Sequence, residues 1–347
     1  MTIRIPPPLK AGDTIAVTAP SFGCFLPPYR ARYECAKSKM VEAGFRVLTG
    51  ETVFKTDGKG IATDPRVAAK ELESLYCSGD CQAVFSAGGG EMMCETVGHV
   101  DFRRLADAPP KWFCGYSDNT NFIFPLATIA HTASLYGPCF PGFGKVWERS
   151  EQDALDLVQG KTMCTQGPSS FIMPAQSHDE MHEESVDWAG FVWECNAKTV
   201  LRYAHGENGA QMSGIMLGGC LDVLATLCGT RLDVMRQFNA EAGSVVWAIE
   251  SCDGSPAQIR RQVWQLKNAG WFDNTAGFLV GRPLAAWGCE AFGIDQYNAT
   301  TDILGELGMP VVMDCPFGHT DPAMPLVIGA VAHVSAQGNE LCVRYEL

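Results

Sequence analysis

The sequence contains no run of 18 uninterrupted apolar residues, which excludes a simple membrane-spanning helix. Its first residues, MTIRIPPPLKAGDTIAV, lack an apolar h-region behind a basic start, so a soluble, unexported, cytoplasmic protein is expected. Clusters of Lys or Arg are also absent. With 26 basic against 39 acidic residues the net charge is −13, which argues against nucleic acid or an anionic membrane as a partner. It says little about a small substrate, which feels only the local field. Cys77 and Cys81 have no second cysteine pair at zinc-site spacing, so neither a structural metal nor another cofactor is expected. The fifteen cysteines are scattered singly and odd in number, and they read as reduced, mostly buried thiols. No G-x-G-x-x-G accompanies the triple glycine at 88–90, so the dinucleotide signal is weak. No internal repeat is evident.

What is present describes a globular α/β protein. Hydrophobic residues make up 46% and charged residues 19%. At 347 residues the chain exceeds a typical single domain, and two domains are expected. They are placed at 1–145 and 211–347, joined by an acidic, irregular connection over 146–210. Short apolar runs at Asp13–Ala19, Phe45–Leu48 and Gln82–Ser86 read as strands, as does the run ending near Ser117. Helices are expected from about Pro28 to Ala43, from Pro65 to about Tyr76 and from about Glu91. This alternation describes a doubly wound, Rossmann-like parallel sheet, whose ligands bind at the carboxyl ends of the strands. Three loops should meet there: Pro20-Ser21, the triple glycine, and Ser117. In the second half, strands are expected at Ser213–Leu217, Ser244–Ile249, Gly277–Val280 and Pro310–Met313, with helices at Leu221–Cys228 and Pro256–Asn268.

Residues 111–120, KWFCGYSDNT, carry the sharpest chemical signal. Phe113 and Cys114 finish a buried strand, Gly115 permits a bend, and Asp118, Asn119 and Thr120 are all good N-cap residues for the apolar segment that follows. Ser117 then sits at a helix N-terminus, where backbone N–H groups and the helix dipole favour a developing negative charge. It is either a nucleophile or a helix cap. The match to G-x-S-x-G is partial, because Asn119 stands where the second glycine belongs. A serine nucleophile needs a base, and imidazole serves best when a carboxylate fixes its tautomer. His319, in FGHT after VVMDCPF, and Glu250, closing SVVWAI, supply these at two further strand ends. Each has a plainer reading: Glu250 as an ion-pair partner of Arg260 or Arg261, His319 as a turn histidine.

GYSDNT at 115–120, Glu250-Ser-Cys-Asp253 after an apolar strand, and FGHT at 317–320 followed by PLVIG at 325–329 resemble the LD-carboxypeptidase family of serine peptidases. That family includes the microcin C self-immunity proteins. The resemblance extends from GDTIAVTAPS at 12–21 through AGGG at 87–90 to LGGCLDVLATLCGT at 217–230, and only the connection is poorly matched. It implies Ser117 as nucleophile, His319 as general base and acid, and Glu250 as the residue orienting His319. The oxyanion hole would be the backbone N–H of Asp118 with that of Gly89 or Gly90. It also implies a mixed α/β C-terminal domain, a site in the interdomain cleft, an acyl-enzyme, no metal, and a possible homodimer. The glycine loop, SAGGGE, lacks the arginine and tyrosine usual in the cell-wall recycling enzymes, and the chain is longer than theirs. Both points favour the self-immunity branch, which hydrolyses an acidic aminoacyl–nucleotide conjugate, over a murein-tetrapeptide carboxypeptidase. An aromatic that stacks on the base would be Trp193, with Trp188 second; either could instead pack an interdomain seam. Cys220 stands where relatives often have asparagine, which puts a polar contact there in doubt. A different class of function, nucleotide binding without catalysis, would leave Ser117 without a role. His178 and His182 read as residues of a solvated loop rather than metal ligands, and Cys315 as a buried strand thiol.

Overall fold

The computed structural model describes residues 2–174, 186–204 and 208–347; His178 and His182 lie outside them. The chain divides into two compact units. One comprises Arg4–Thr162 with Ala175–Val192, the other Met1–Ile3, Met163–Pro174 and Trp193–Leu347.

In the first unit the strands pair in the order Ser134–Tyr136, Trp112–Gly115, Ala83–Ser86, Thr14–Thr18 and Arg46–Thr49, every pair parallel. Thr14–Thr18, Ala83–Ser86 and Trp112–Gly115 are buried along their whole length, as strands covered on both faces must be. Arg46–Thr49 alternates between half-buried and exposed, as an edge strand can. The strand order reverses at Thr14–Thr18, so the loops after Thr18 and Ser86 diverge at a topological switch point.

Helix boundaries follow local chemistry. Pro27–Glu42 ends at Ala43, with Gly44 at a φ of +94°. Pro65–Cys77 starts at Asp64, whose side chain accepts from the Arg66 N–H, and it buries Ala68, Ala69, Leu72 and Tyr76. The helix expected from about Glu91 is instead two, Met93–Val97 and Phe102–Asp107. Gly98 closes the first, and Asp101 caps the second by accepting from the Arg103 and Arg104 N–H groups. The stretch expected to be irregular after Gly144 contains the helix Arg149–Val158. Its capping box uses Glu148 and Glu151. Glu151 is buried against Lys145 at 2.8 Å, which breaks the apolar pattern that would have announced the helix.

The second unit holds a mixed sheet. Its centre is parallel: Gly209–Cys220, Val245–Glu250, Thr275–Gly281 and Val311–Cys315. Antiparallel strands flank it, with Val331–Gln337, Glu340–Glu346 and Cys164–Gln166 on one side and Arg202–Tyr203 on the other. The helix Pro256–Asn268 begins at Ser255 in a reciprocal capping box with Gln258. The hairpin Val331–Glu346 and the helices Met235–Glu241 and Asn298–Leu304 add to the elements expected from sequence. Among the described residues no helix is long and apolar enough to cross a membrane. The cysteines are less buried than expected: six are buried, six half-buried and three, Cys94, Cys195 and Cys289, exposed.

Candidate active site

In the first unit the backbone leaves the strand Trp112–Gly115, stays extended at Tyr116 and turns at Ser117 with a φ of +63°. For an L-residue this left-handed conformation costs about 1–2 kcal/mol. Such strain persists only where surrounding contacts hold it, and it is the backbone signature of a nucleophile elbow. A short 3-10 turn, Ser117–Asn119, then leads into the buried helix Thr120–Thr128. The N–H of Asp118 falls in the first turn, where it has no intrahelical acceptor.

Contacts of three consecutive residues hold the turn. The Ser117 N–H donates to the Tyr136 hydroxyl at 3.0 Å. Asn119 Nδ2 donates to the carbonyls of Gly88 at 3.0 Å and Tyr116 at 2.9 Å, joining the elbow to the glycine loop. The buried Asp118 carboxylate accepts from Ser21 Oγ, from the Met93 N–H at 2.8 Å and from Asn121 Nδ2 at 2.8 Å. Burial pushes the Asp118 carboxyl above the usual carboxylate range, against the pull of these hydrogen bonds. Gly89 closes the set, its carbonyl accepting from the Phe22 N–H at 2.9 Å. The three loops expected to meet at the strand ends therefore do so.

Two expectations change in kind. Asp118, Asn119 and Thr120 do not cap the helix Thr120–Thr128 through their side chains; the first two tie loops together. Gly115 is required less for its own φ than for space, since a Cβ there would stand 2.8 Å from Asn119 Cγ. The glycine loop lies against the serine: a Cβ on Gly89 would be 3.3 Å from Ser117 Cβ and 3.4 Å from Oγ.

In the second unit Glu250 ends the buried strand Val245–Glu250, and His319 follows the strand Val311–Cys315. Glu250 Oε2 lies 2.7 Å from His319 Nδ1. Gly318, at a φ of +104°, and Gly281 make room for this carboxylate: a Cβ on either would come within 2.8 Å of Glu250 carbons. With Nδ1–H donating to Glu250, the ring is held in the tautomer whose Nε2 can accept a proton. Burial disfavours the imidazolium, but the Glu250 charge, with the hydrogen bond that the Glu250 carboxylate accepts from Nδ1–H, outweighs it. The His319 pKa is thus raised well above its ordinary value.

The plainer reading of Glu250 fails for Arg260, which pairs with Asp302 at 2.8 Å. Cys315 is fully buried in its strand, and burial raises its thiol pKa. Trp188, in the first unit, is 6% exposed with Arg32 over its ring at 4.7 Å. Trp193, in the second, is half-buried. Sequence reasoning missed Tyr136, and it read Asn119 only as a cap and not as the tie between loops. Only Asn119 offered a signal, as the departure from G-x-S-x-G.

Comparison with known proteins agrees with this layout. The model of the LD-carboxypeptidase N-terminal domain matches residues 15–137, and that of the C-terminal domain matches residues 213–334. A Bacillus subtilis protein named as a probable murein peptide carboxypeptidase is 24% identical over 330 residues, 94% of this chain and 90% of that protein. Among solved structures, the microcin C7 self immunity protein MccF in complex with aspartyl sulfamoyl adenosine superposes with a TM-score of 0.79 at 20% identity, covering 99% of each chain. An MccF-like protein from Bacillus anthracis gives 0.77 at 18% identity, covering 99% of this chain and 100% of the other. With both domain models matched in order, the chain belongs to the LD-carboxypeptidase family of serine peptidases and is an enzyme of the serine carboxypeptidase class.

Proposed function

We propose that the enzyme hydrolyses a conjugate of an acidic amino acid with a nucleotide, as in microcin C self-immunity, through an acyl-enzyme on Ser117. The observation that carries this reading is the Glu250–His319 hydrogen bond at 2.7 Å, an imidazole already held in the tautomer a serine hydrolase uses. His319 Nε2 takes the proton of Ser117 Oγ as the oxygen attacks the carbonyl carbon. The oxyanion is met by the backbone N–H of Asp118 and by that of Gly89 or Gly90. Collapse breaks the bond to the leaving group, which takes the proton from His319. Water, deprotonated by the same imidazole, then releases the amino acid. The strained φ of Ser117 supports its role as nucleophile. Trp193 is assigned to stack on the base, because Arg32 covers Trp188. The reading places the enzyme in the cytoplasm.

The substrate side rests on the MccF structure solved with aspartyl sulfamoyl adenosine. The Bacillus subtilis relative, by its name, favours a second reading, a murein-peptide carboxypeptidase. Turnover of aspartyl sulfamoyl adenosine should be compared with that of an L,D-linked murein tetrapeptide. The proposal expects hydrolysis of the nucleotide conjugate with the higher kcat/KM. Release of D-alanine from the tetrapeptide, with the conjugate left intact, would replace the first reading by the second.

A further inference from the structure

Asp222 lies on the first turn of the helix Leu221–Leu227, two residues beyond Cys220, which stands beside Glu250 in the parallel sheet register. Its carboxylate joins three elements of the second unit. Oδ2 accepts from the Cys252 N–H at 3.1 Å, from Ser251 Oγ at 3.4 Å and from the Cys220 thiol at 3.6 Å. Oδ1 accepts from Gln262 Nε2, on the helix Pro256–Asn268, at 3.0 Å. The segment it grips is the direct continuation of Glu250. The carbonyls of Ser251 and Cys252 are held as well, by the N–H groups of Leu284 at 3.0 Å and Ala285 at 2.9 Å. The Cys252 thiol donates to Asp253 Oδ1 at 3.5 Å.

One carboxylate thus fixes the backbone that continues directly from Glu250, the carboxylate bonded to His319 Nδ1 at 2.7 Å. We propose that Asp222 is a positioning residue for the Glu250–His319 pair: it clamps residues 251–252 to the helices Leu221–Leu227 and Pro256–Asn268, and so aims Glu250 at the imidazole. The inference rests on the reading of His319 as the catalytic base, which it deepens. Charged and titratable groups facing this cluster are Glu250 and Cys252 on the loop and strand, Cys220 beside them, and Asp253.

Two variants separate positioning from bulk stability. Asp222→Ala removes every contact. Asp222→Asn keeps an acceptor for the Cys252 N–H, and its amide can donate to Gln262 Oε1, which is buried without a hydrogen-bond partner. Displacement of a catalytic group by about 1 Å can cost roughly a hundred-fold in rate, so Asp222→Ala should lower kcat about ten- to a hundred-fold with KM little changed, and Asp222→Asn should restore most of it.

The readout that does not depend on turnover is the titration of His319 itself, followed by nuclear magnetic resonance of the imidazole nitrogens and assigned with His319→Gln. The His319 titration should move to lower pH in Asp222→Ala and stay near wild type in Asp222→Asn. If Asp222→Ala does not fold, Gln262→Ala loosens the same clamp from its helix side, and a smaller shift in the same direction is expected. An unchanged His319 titration in a folded variant overturns the proposal, as does a loss of activity that only follows the melting temperature. Ser117→Ala, assayed in parallel, tests the catalytic reading separately. Its failure would leave the titration to decide on Asp222 alone.

Discussion

Ser117 and His319 are held in states that cost free energy, one by backbone strain and one by burial of a charge, and their neighbours offset that cost. For His319 the sign can be worked through. The Glu250 carboxylate raises the pKa against the opposing effect of burial. A raised folded-state value means that the stability contributed by protonation is complete below the unfolded value of 6.5 and is lost as pH rises through the folded value. With His319 as the proposed base, which acts only when neutral, the same shift is expected to place the acid limb of kcat/KM above the ordinary histidine range. Glu250→Gln removes the charge and leaves the burial. The acid limb should therefore move to lower pH while the plateau rate falls, and stability should lose its decline above neutral pH. A pH–rate profile and thermal melts at several pH values check both. An acid limb that does not move would show that Glu250 does not tune His319.

At the scale of elements, the elbow depends on the close approach of Asn119 to Gly115. Gly115→Ala would place its Cβ 2.8 Å from Asn119 Cγ and 3.1 Å from Asn119 Cβ. Overpacking of this kind costs about 1–3 kcal/mol, and it would also shift the strand end that presents Ser117. Gly79→Ala, with nothing within 4 Å, is the control. Denaturant midpoints and turnover should both fall for Gly115→Ala and hardly move for Gly79→Ala; equal behaviour of the two would contradict the packing described. The strands around this elbow were legible in sequence because fully buried parallel strands such as TIAVT and AVFS are unbroken apolar runs ended by turn residues. Pro65–Cys77 and Pro256–Asn268 were legible because Asp64-Pro65 and Ser255-Pro256 announce their starts. Arg149–Val158 was not, since its cap is a glutamate and one of its buried positions is a charge paired with Lys145. The break after Gly98 was hidden too, because the renewed start at Asp101 looks locally like any polar turn.

Across the whole molecule, the positions of Ser117, Glu250 and His319 were legible because each stands at or just beyond a strand end. The contacts that hold them were not. Asp118 with Ser21, Asn119 with Gly88 and Asp222 with Cys252 join residues 97, 31 and 30 positions apart, and such pairings leave no local pattern to read. What the sequence could not indicate is therefore the support of the candidate site. Ser117 and the Glu250–His319 pair belong to different units of the chain, so the account stands or falls on Ser117 carrying the acyl group. The direct test is to quench wild-type enzyme during turnover of aspartyl sulfamoyl adenosine and locate any covalent adduct by mass spectrometry, with Ser117→Ala assayed alongside. The account predicts an aspartyl adduct on the peptide containing Ser117, and a loss of at least about a thousand-fold in kcat for Ser117→Ala with ligand binding retained. Undiminished turnover by Ser117→Ala would contradict it.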